Sequence, residues 1–156
     1  MRTLVLQVFG RIDPMHRMAA RNFDRHSKGV GGKMSDELLT SIERFEELLR
    51  KDKRYQAEAY NFVYEALDWT LHNIVKGPVS PDTHVDCRQL LEGIRQYAIK
   101  QFGPLAAIVF ENWGVKKTDD WGEIVFNLIE YDLMGKNEND HKEDFYEVYD
   151  FREVFN

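Results

Sequence analysis

Four side chains that can bind a metal ion or act as nucleophiles lie within six residues of one another: Asp82, His84, Asp86 and Cys87. His72 lies shortly before them. Carboxylates, imidazoles and thiolates ligate zinc and iron, and a cysteine beside a histidine suits covalent catalysis. The spacing matches no established ligand signature, however, and nothing provides an oxyanion hole. The two aspartates also suit turns and helix caps, and the cysteine suits a half-buried apolar position. We predict no metal site and no catalytic residue here.

Motifs that bind nucleotide cofactors are absent from the sequence, which contains no G-x-G-x-x-G and no phosphate loop. Adjacent carboxylates, such as those at 119–120 and 143–144, are solvated faces in an acidic protein, so general acid–base catalysis has no support. The sequence therefore predicts no cofactor and favours a protein that is not an enzyme. A small metal-dependent enzyme ranks third among the functions considered.

Charge is divided unevenly along the 156 residues. The chain has 21 Lys or Arg and 27 Asp or Glu side chains, for a formal charge of −6. Residues 1–33 hold seven basic and two acidic side chains, so residues 34–156 carry −11. An acidic body repels phosphates, which disfavours nucleic acid as its partner. We expect a basic, flexible N-terminal arm, 1–33, and a single acidic globular domain, 34–156.

The arm has three open interpretations. In the first, the arm is an extension from a start codon assigned too early, and Met34, Met15 or Met18 is the true start. The glycine-rich stretch 27–33, which Met34 follows directly, favours this interpretation. Alternatively, the arm is a basic tail that docks on the acidic body or on a polyanion. A targeting peptide fits less well, because the apolar run 4–9 is short and interrupted.

Apolar periodicity in the body predicts five helices and one strand. The predicted helices cover about 36–50, 55–75, 87–102, 104–113 and 119–134. Proline and glycine break the chain between the second and third helices, and a Gly-Pro pair separates the third from the fourth. Residues 145–151 are rich in strand formers. The predicted fold is mainly α (α+β), a five-helix domain with a small C-terminal β element.

The order of the last three helices and the strand is that of a winged helix-turn-helix. Gly114 permits a tight turn, Val115 fills the core between two helices, and Thr118 is predicted to cap the second of them. In a DNA reader this second helix enters the major groove, yet residues 118–134 contain five acids and no Lys or Arg. A nucleic-acid-associated regulator is therefore the alternative function, with phosphate contacts from the arm and from the basic end of the first helix.

A non-enzymatic protein-interaction module fits these charges best. We expect the acidic face of the fifth helix, with Asp119, Asp120 and Glu123, to bind an unidentified protein partner. Aromatic residues crowd the last third of the chain, and Phe151 and Phe155 are predicted to be exposed anchors. No apolar run approaches the roughly 20 residues that span a bilayer, so no membrane partner is predicted. A single cysteine fits a reducing cytoplasm.

Residue runs across the body resemble those of one family. They are Arg54-Tyr55, Ala59-Tyr60-Asn61-Phe62-Val63, Glu65-Ala66-Leu67, Leu90-Leu91-Glu92-Gly93-Ile94-Arg95-Gln96-Tyr97-Ala98, Gln101-Phe102-Gly103-Pro104-Leu105-Ala106, Val109-Phe110, Trp113-Gly114-Val115 and Gly122-Glu123-Ile124-Val125-Phe126-Asn127-Leu128. The chain is similar in these runs to the planctomycete–verrucomicrobium conserved hypothetical family of small bacterial proteins. The resemblance covers roughly 34–151 and leaves out the arm, which favours the late start. It implies a bacterial, cytoplasmic protein and no assigned activity, so no site residue follows from it.

Overall fold

A computed structural model describes residues 36–75, 77–78, 83–135 and 140–155, which are mainly helical; the arm, 1–33, lies outside these ranges. The elements are α1 (Asp36–Lys51), α2 (Ala57–Asn73), α3 (Cys87–Phe102), a first 3₁₀ turn (Gly103–Leu105), α4 (Ala106–Asn112), α5 (Thr118–Glu130), a second 3₁₀ turn (Lys142–Phe145) and α6 (Phe151–Val154). Among the helices so described, none has the length and apolar character needed to cross a membrane.

Helix α2 is the spine of the core, and α3 and α5 pack against it. Its buried residues include Tyr60, Val63 and Leu67. They lie on one face of the helix because they recur at the 3.6-residue helical period, and that face packs against the core. The approach of α3 to α2 is close at Gly93. A Cβ atom there would lie 1.8 Å from Oγ1 of Thr70, so glycine is what lets the two backbones meet.

The turn between α4 and α5 confirms two predictions. Gly114 adopts a φ of +91°, a conformation that L residues with a side chain rarely take, and Val115 is fully buried. The predicted cap is wrong, because the cap residue is Lys117. The carboxylate of Asp120 instead accepts the backbone N–H groups of Lys116 and Lys117, at 2.8 and 3.2 Å. Thr118 is fully buried as the first residue of the helix.

The predicted strand over 145–151 is not formed, and no strand occurs in the ranges given above. The backbone N–H of Val148 donates to Oγ1 of Thr118 at 3.1 Å, and that of Glu147 donates to Asp119 at 2.9 Å. Side chains of α5 thus take the donors that a partner strand would need. Glu147 also has a φ of +51°, which interrupts an extended path. In the part of the chain that the structure describes, the segment after α5 therefore forms no wing.

Candidate functional site

Helix α5 is enclosed by the rest of the domain. Every side chain over 118–129 is buried or half-buried, and Glu130 is the first exposed residue of the helix. The second 3₁₀ turn packs along it at Gly122, where a Cβ atom would lie 2.8 Å from Cβ of Phe145. The expected outward acidic face is therefore a packed surface, because residues 142–148 cover it.

The three acids predicted to bind a partner do lie together on α5, and each is engaged within the chain. Glu123 accepts from Nζ of Lys142 at 3.2 Å and from Arg54 at 3.4 Å. Its side chain is 21% exposed. Asp120 accepts the hydroxyl proton of Tyr55 at 2.7 Å, in addition to the N–H groups before α5. Burial and this hydrogen bond raise the pKa of the tyrosine.

Asp119 is the third of these acids. It accepts the backbone N–H of Glu147 and lies 3.6 Å from Nζ of Lys117. Its side chain is 17% exposed. The negative charge of α5 is thus partly neutralised by cations and amides of the same chain. These carboxylates therefore stabilise the fold, and they are not a free surface for a protein partner.

Asp52 centres a hydrogen-bonded network between the end of α1 and α5. Its carboxylate accepts from Nη2 and Nε of Arg54, at 2.7 and 3.0 Å, and from Nδ2 of Asn127 at 2.9 Å. Asn127 also donates to the hydroxyl of Tyr60 at 3.1 Å. The hydrogen bonds from Arg54 lower the pKa of Asp52 to about 2, against an opposing effect of burial. Arg54, which lies in the basic end of the first helix that the regulator interpretation assigns to phosphates, is therefore already paired with Asp52 and Glu123, although its side chain is 53% exposed.

Replacing Asp52 with asparagine should remove a pH-dependent part of the stability. The carboxyl has a pKa near 3.8 when unperturbed and about 2 in the folded protein. Its stabilisation is therefore complete above about pH 5 and is lost progressively as the pH falls through the folded pKa of about 2. We expect the wild type to exceed Asp52→Asn by about 1–2 kcal/mol at pH 6, discounted for the half-exposed Arg54, and by almost nothing near pH 2.

Urea unfolding at several pH values measures this difference. Glu47→Gln is the matched control, because its ion pair with Lys51 is long, at 3.8 Å, and exposed. It should change the free energy of unfolding by less than about 0.5 kcal/mol at any pH. A gap between wild type and Asp52→Asn that stays constant from pH 6 to pH 2 would contradict the assigned role of the carboxylate.

The cluster before α3 is placed only in part, since Asp82 lies outside the described residues. Asp86 caps α3, accepting the backbone N–H of Gln89 at 2.8 Å. Cys87 is buried and its Sγ donates to the carbonyl of Asp144 at 3.4 Å. Burial raises the pKa of this thiol to about 11, so it is protonated at neutral pH and a poor nucleophile. Over the described ranges, no three His, Cys, Asp or Glu side chains converge to hold a metal.

The predicted exposure of the two C-terminal phenylalanines is wrong. Phe151 is 6% exposed and Phe155 is 4% exposed. Both rings pack edge to face against Phe110, with centroid distances of 5.7 and 5.4 Å. They are buried because the short helix α6 folds back onto α4, and nearness to the chain end does not prevent core packing.

An open groove of about 650 Å³ lies between the start of α3 and the second 3₁₀ turn with the residues that follow it. Its lining residues are Asp86, Cys87, Arg88, Glu143, Asp144, Tyr146, Glu147 and Val148. Tyr146 and Val148 are 38% and 37% exposed and lie beside several carboxylates. Sequence reasoning missed the groove, because the residues that line it, at 86–88 and at 143–148, are far apart in the chain.

Comparison of the chain with protein-family profiles, with curated proteins and with solved structures found no match.

Proposed function

We propose that this protein is a non-enzymatic protein-interaction module and that the groove is its docking surface. The observation that carries the proposal is the pairing of exposed apolar side chains, Tyr146 and Val148, with the exposed carboxylates of Glu143 and Glu147 in one concave surface. Burial of such apolar groups by a partner is favourable, and a concave shape increases the area buried.

The partner should be a cationic polypeptide segment that also carries apolar side chains. Carboxylates outnumber the single cation of the groove, Arg88. Over the described residues, fourteen acidic side chains are exposed against nine basic ones, so the field around the groove attracts positive charge. Asp119 supports this surface from within the domain, because it accepts the backbone N–H of Glu147.

A labelled peptide of alternating lysine and leucine residues tests the proposal by fluorescence anisotropy. The double substitution Glu143→Gln and Glu147→Gln should weaken its binding about tenfold, since two nearby charges contribute about 1 kcal/mol each at most. Val148→Ser should weaken it further by removing apolar contact. These positions are exposed, so the fold is expected to persist.

A matched control removes the same charge elsewhere. Glu43 and Glu47 are exposed on α1, and their double substitution by glutamine should leave peptide binding unchanged. Equal weakening by both double variants would show general attraction to an acidic body and would refute a defined groove. Tighter binding of a DNA duplex than of the peptide, with a steep salt dependence, would favour the nucleic-acid-associated, winged-helix alternative instead.

We also propose that the chain is a relative of the planctomycete–verrucomicrobium proteins, with the cytoplasmic location that this implies. The residue runs behind the resemblance include Gly93, Gly114 and Gly122, and each glycine admits a neighbour closer than a side chain allows. An alignment of the family tests the relation. Relatives should keep these glycines or carry compensating changes at the positions they contact, such as Thr70, and a family that varies them freely would refute it.

A further inference from the structure

A second, smaller depression lies between α2 and α3. It has a volume of about 140 Å³ and is lined by Glu65, Asp68, Trp69, His72, Asn73 and Tyr97. Drug-sized ligands and cofactors occupy several hundred cubic ångströms, so this pocket suits the end of one side chain. Its residues come from one face of α2 and from the neighbouring turn of α3.

Two aromatic rings form part of this pocket. The ring centroids of Trp69 and Tyr97 are 5.8 Å apart, with planes inclined at 40°. The chain's own Lys100 places its ammonium nitrogen 4.4 Å from the centroid of the Trp69 ring, although Lys100 is not one of the lining residues. Attraction of an ammonium group by this indole is therefore already a feature of the fold.

Two carboxylates accompany the rings. Glu65 accepts the hydroxyl proton of Tyr97 at 3.0 Å, and Asp68 lies 3.3 Å from Nδ1 of His72. Burial, followed by the bond to Glu65, raises the pKa of Tyr97 to about 12, so the phenol stays neutral. The pocket thus combines π faces with negative charge, and both attract cations.

We propose that this pocket binds the primary ammonium group of a lysine side chain from a cationic polypeptide. Carboxylates accept N–H bonds, which a primary ammonium offers and a quaternary one does not, so the two acids favour unmodified lysine. The inference rests on the proposed function, and it adds a second contact point that selects lysine in that partner.

The probe is Nα-acetyl-lysine methylamide, compared with the neutral norleucine analogue, which has the same carbon chain. Binding is followed by the indole N–H signal of Trp69 in ¹H–¹⁵N NMR spectra, assigned by its loss in Trp69→Phe. We expect a saturable shift with the lysine probe and none with norleucine, while the signals of Trp113 and Trp121 stay fixed.

Two surface substitutions sharpen the test. Asp68→Asn should weaken binding about fivefold, and Lys100→Met should strengthen it about threefold because a competing ammonium is removed. Glu153→Gln, which removes an exposed charge on α6, is the control and should have no effect. Equal responses to the lysine and norleucine probes, or affinities indifferent to both substitutions, would overturn the inference. If the lysine–leucine peptide still bound the groove in that case, the proposed function would stand without this pocket.

Discussion

Gly114→Ala is expected to lower the free energy of unfolding by about 3–5 kcal/mol. At a φ of +91° a residue with a Cβ costs about 1–2 kcal/mol. The added Cβ would also lie 2.1 Å from the carbonyl oxygen of Arg54, a backbone atom that cannot rotate away. Relief requires parting the α1–α2 connection from the α4–α5 turn, where the N–H of Gln56 donates to the carbonyl of Trp113 at 3.0 Å.

The matched control is Gly103→Ala. Gly103 also has a positive φ, +55°, but its added Cβ would meet nothing within 4 Å. Only a conformational cost of about 1–3 kcal/mol should appear, because the ψ of −134° at Gly103 lies outside the left-handed helical region, and no steric overlap adds to it. Urea unfolding of both variants separates backbone strain from steric overlap. Equal losses of stability would show that the two chain segments do not meet at Gly114 as described.

Phe110→Ala should cost about 3–5 kcal/mol, because it removes the ring on which the aromatic core converges. The fully buried Phe110 lies with its centroid 5.0 Å from that of Trp121 and 5.2 Å from that of Phe62. It also supports Phe151 and Phe155, so its loss should loosen α6. The resulting cavity sits among rings that cannot easily collapse into it.

Ile108→Ala tests the same short helix at its surface. Ile108 is 64% exposed, so its truncation should change stability by less than about 0.5 kcal/mol. Near-ultraviolet circular dichroism adds a second measurement, since only Phe110→Ala should perturb the signal of the buried Trp121. A Phe110→Ala variant as stable as Ile108→Ala would contradict the packing described for the core.

The helices were predictable because their apolar residues recur at the helical period, which is a local property. α1 and α3 begin and end within a residue of the predictions, and α3 is closed by Gly103. α5 ends earlier than predicted, at Glu130, because the N–H of Leu133 bonds to the carbonyl of Leu128 and the chain turns away. A residue with positive φ, Asp132, lies in that turn.

The role of the acids on α5 could not be read from the sequence, because their partners come from distant parts of the chain. Arg54 lies 69 residues before Glu123, and Lys142 lies 19 residues after it. The residues of the helix alone therefore indicate a negatively charged face. They do not indicate that two distant segments of the chain cover that face. The same limit applies to Phe155, whose burial depends on where α6 packs.

The C-terminal segment shows a different kind of error. The strand was predicted from the abundance of strand formers over 145–151, yet Tyr146, Glu147 and Val148 are exposed in succession between the buried Phe145 and Phe151. Three consecutive exposed residues do not follow the period of two that a half-buried strand requires. A strand also needs a neighbouring strand to accept its backbone N–H groups. Here the N–H of Val148 donates instead to the hydroxyl of Thr118 on α5.

The close packing of Phe145 against Gly122 limits how far the protein can be truncated from its C-terminal end. Because Gly122 has no side chain, the surface of α5 has a depression there, and Phe145 packs into it. In the same segment, the hydroxyl of Tyr149 donates to the carbonyl of Leu91 at 2.8 Å. A recombinant version that ends before residue 140 would expose this depression and the aromatic core residues to solvent. Such a truncated product should self-associate and precipitate on expression, so the last segment belongs to any minimal stable unit.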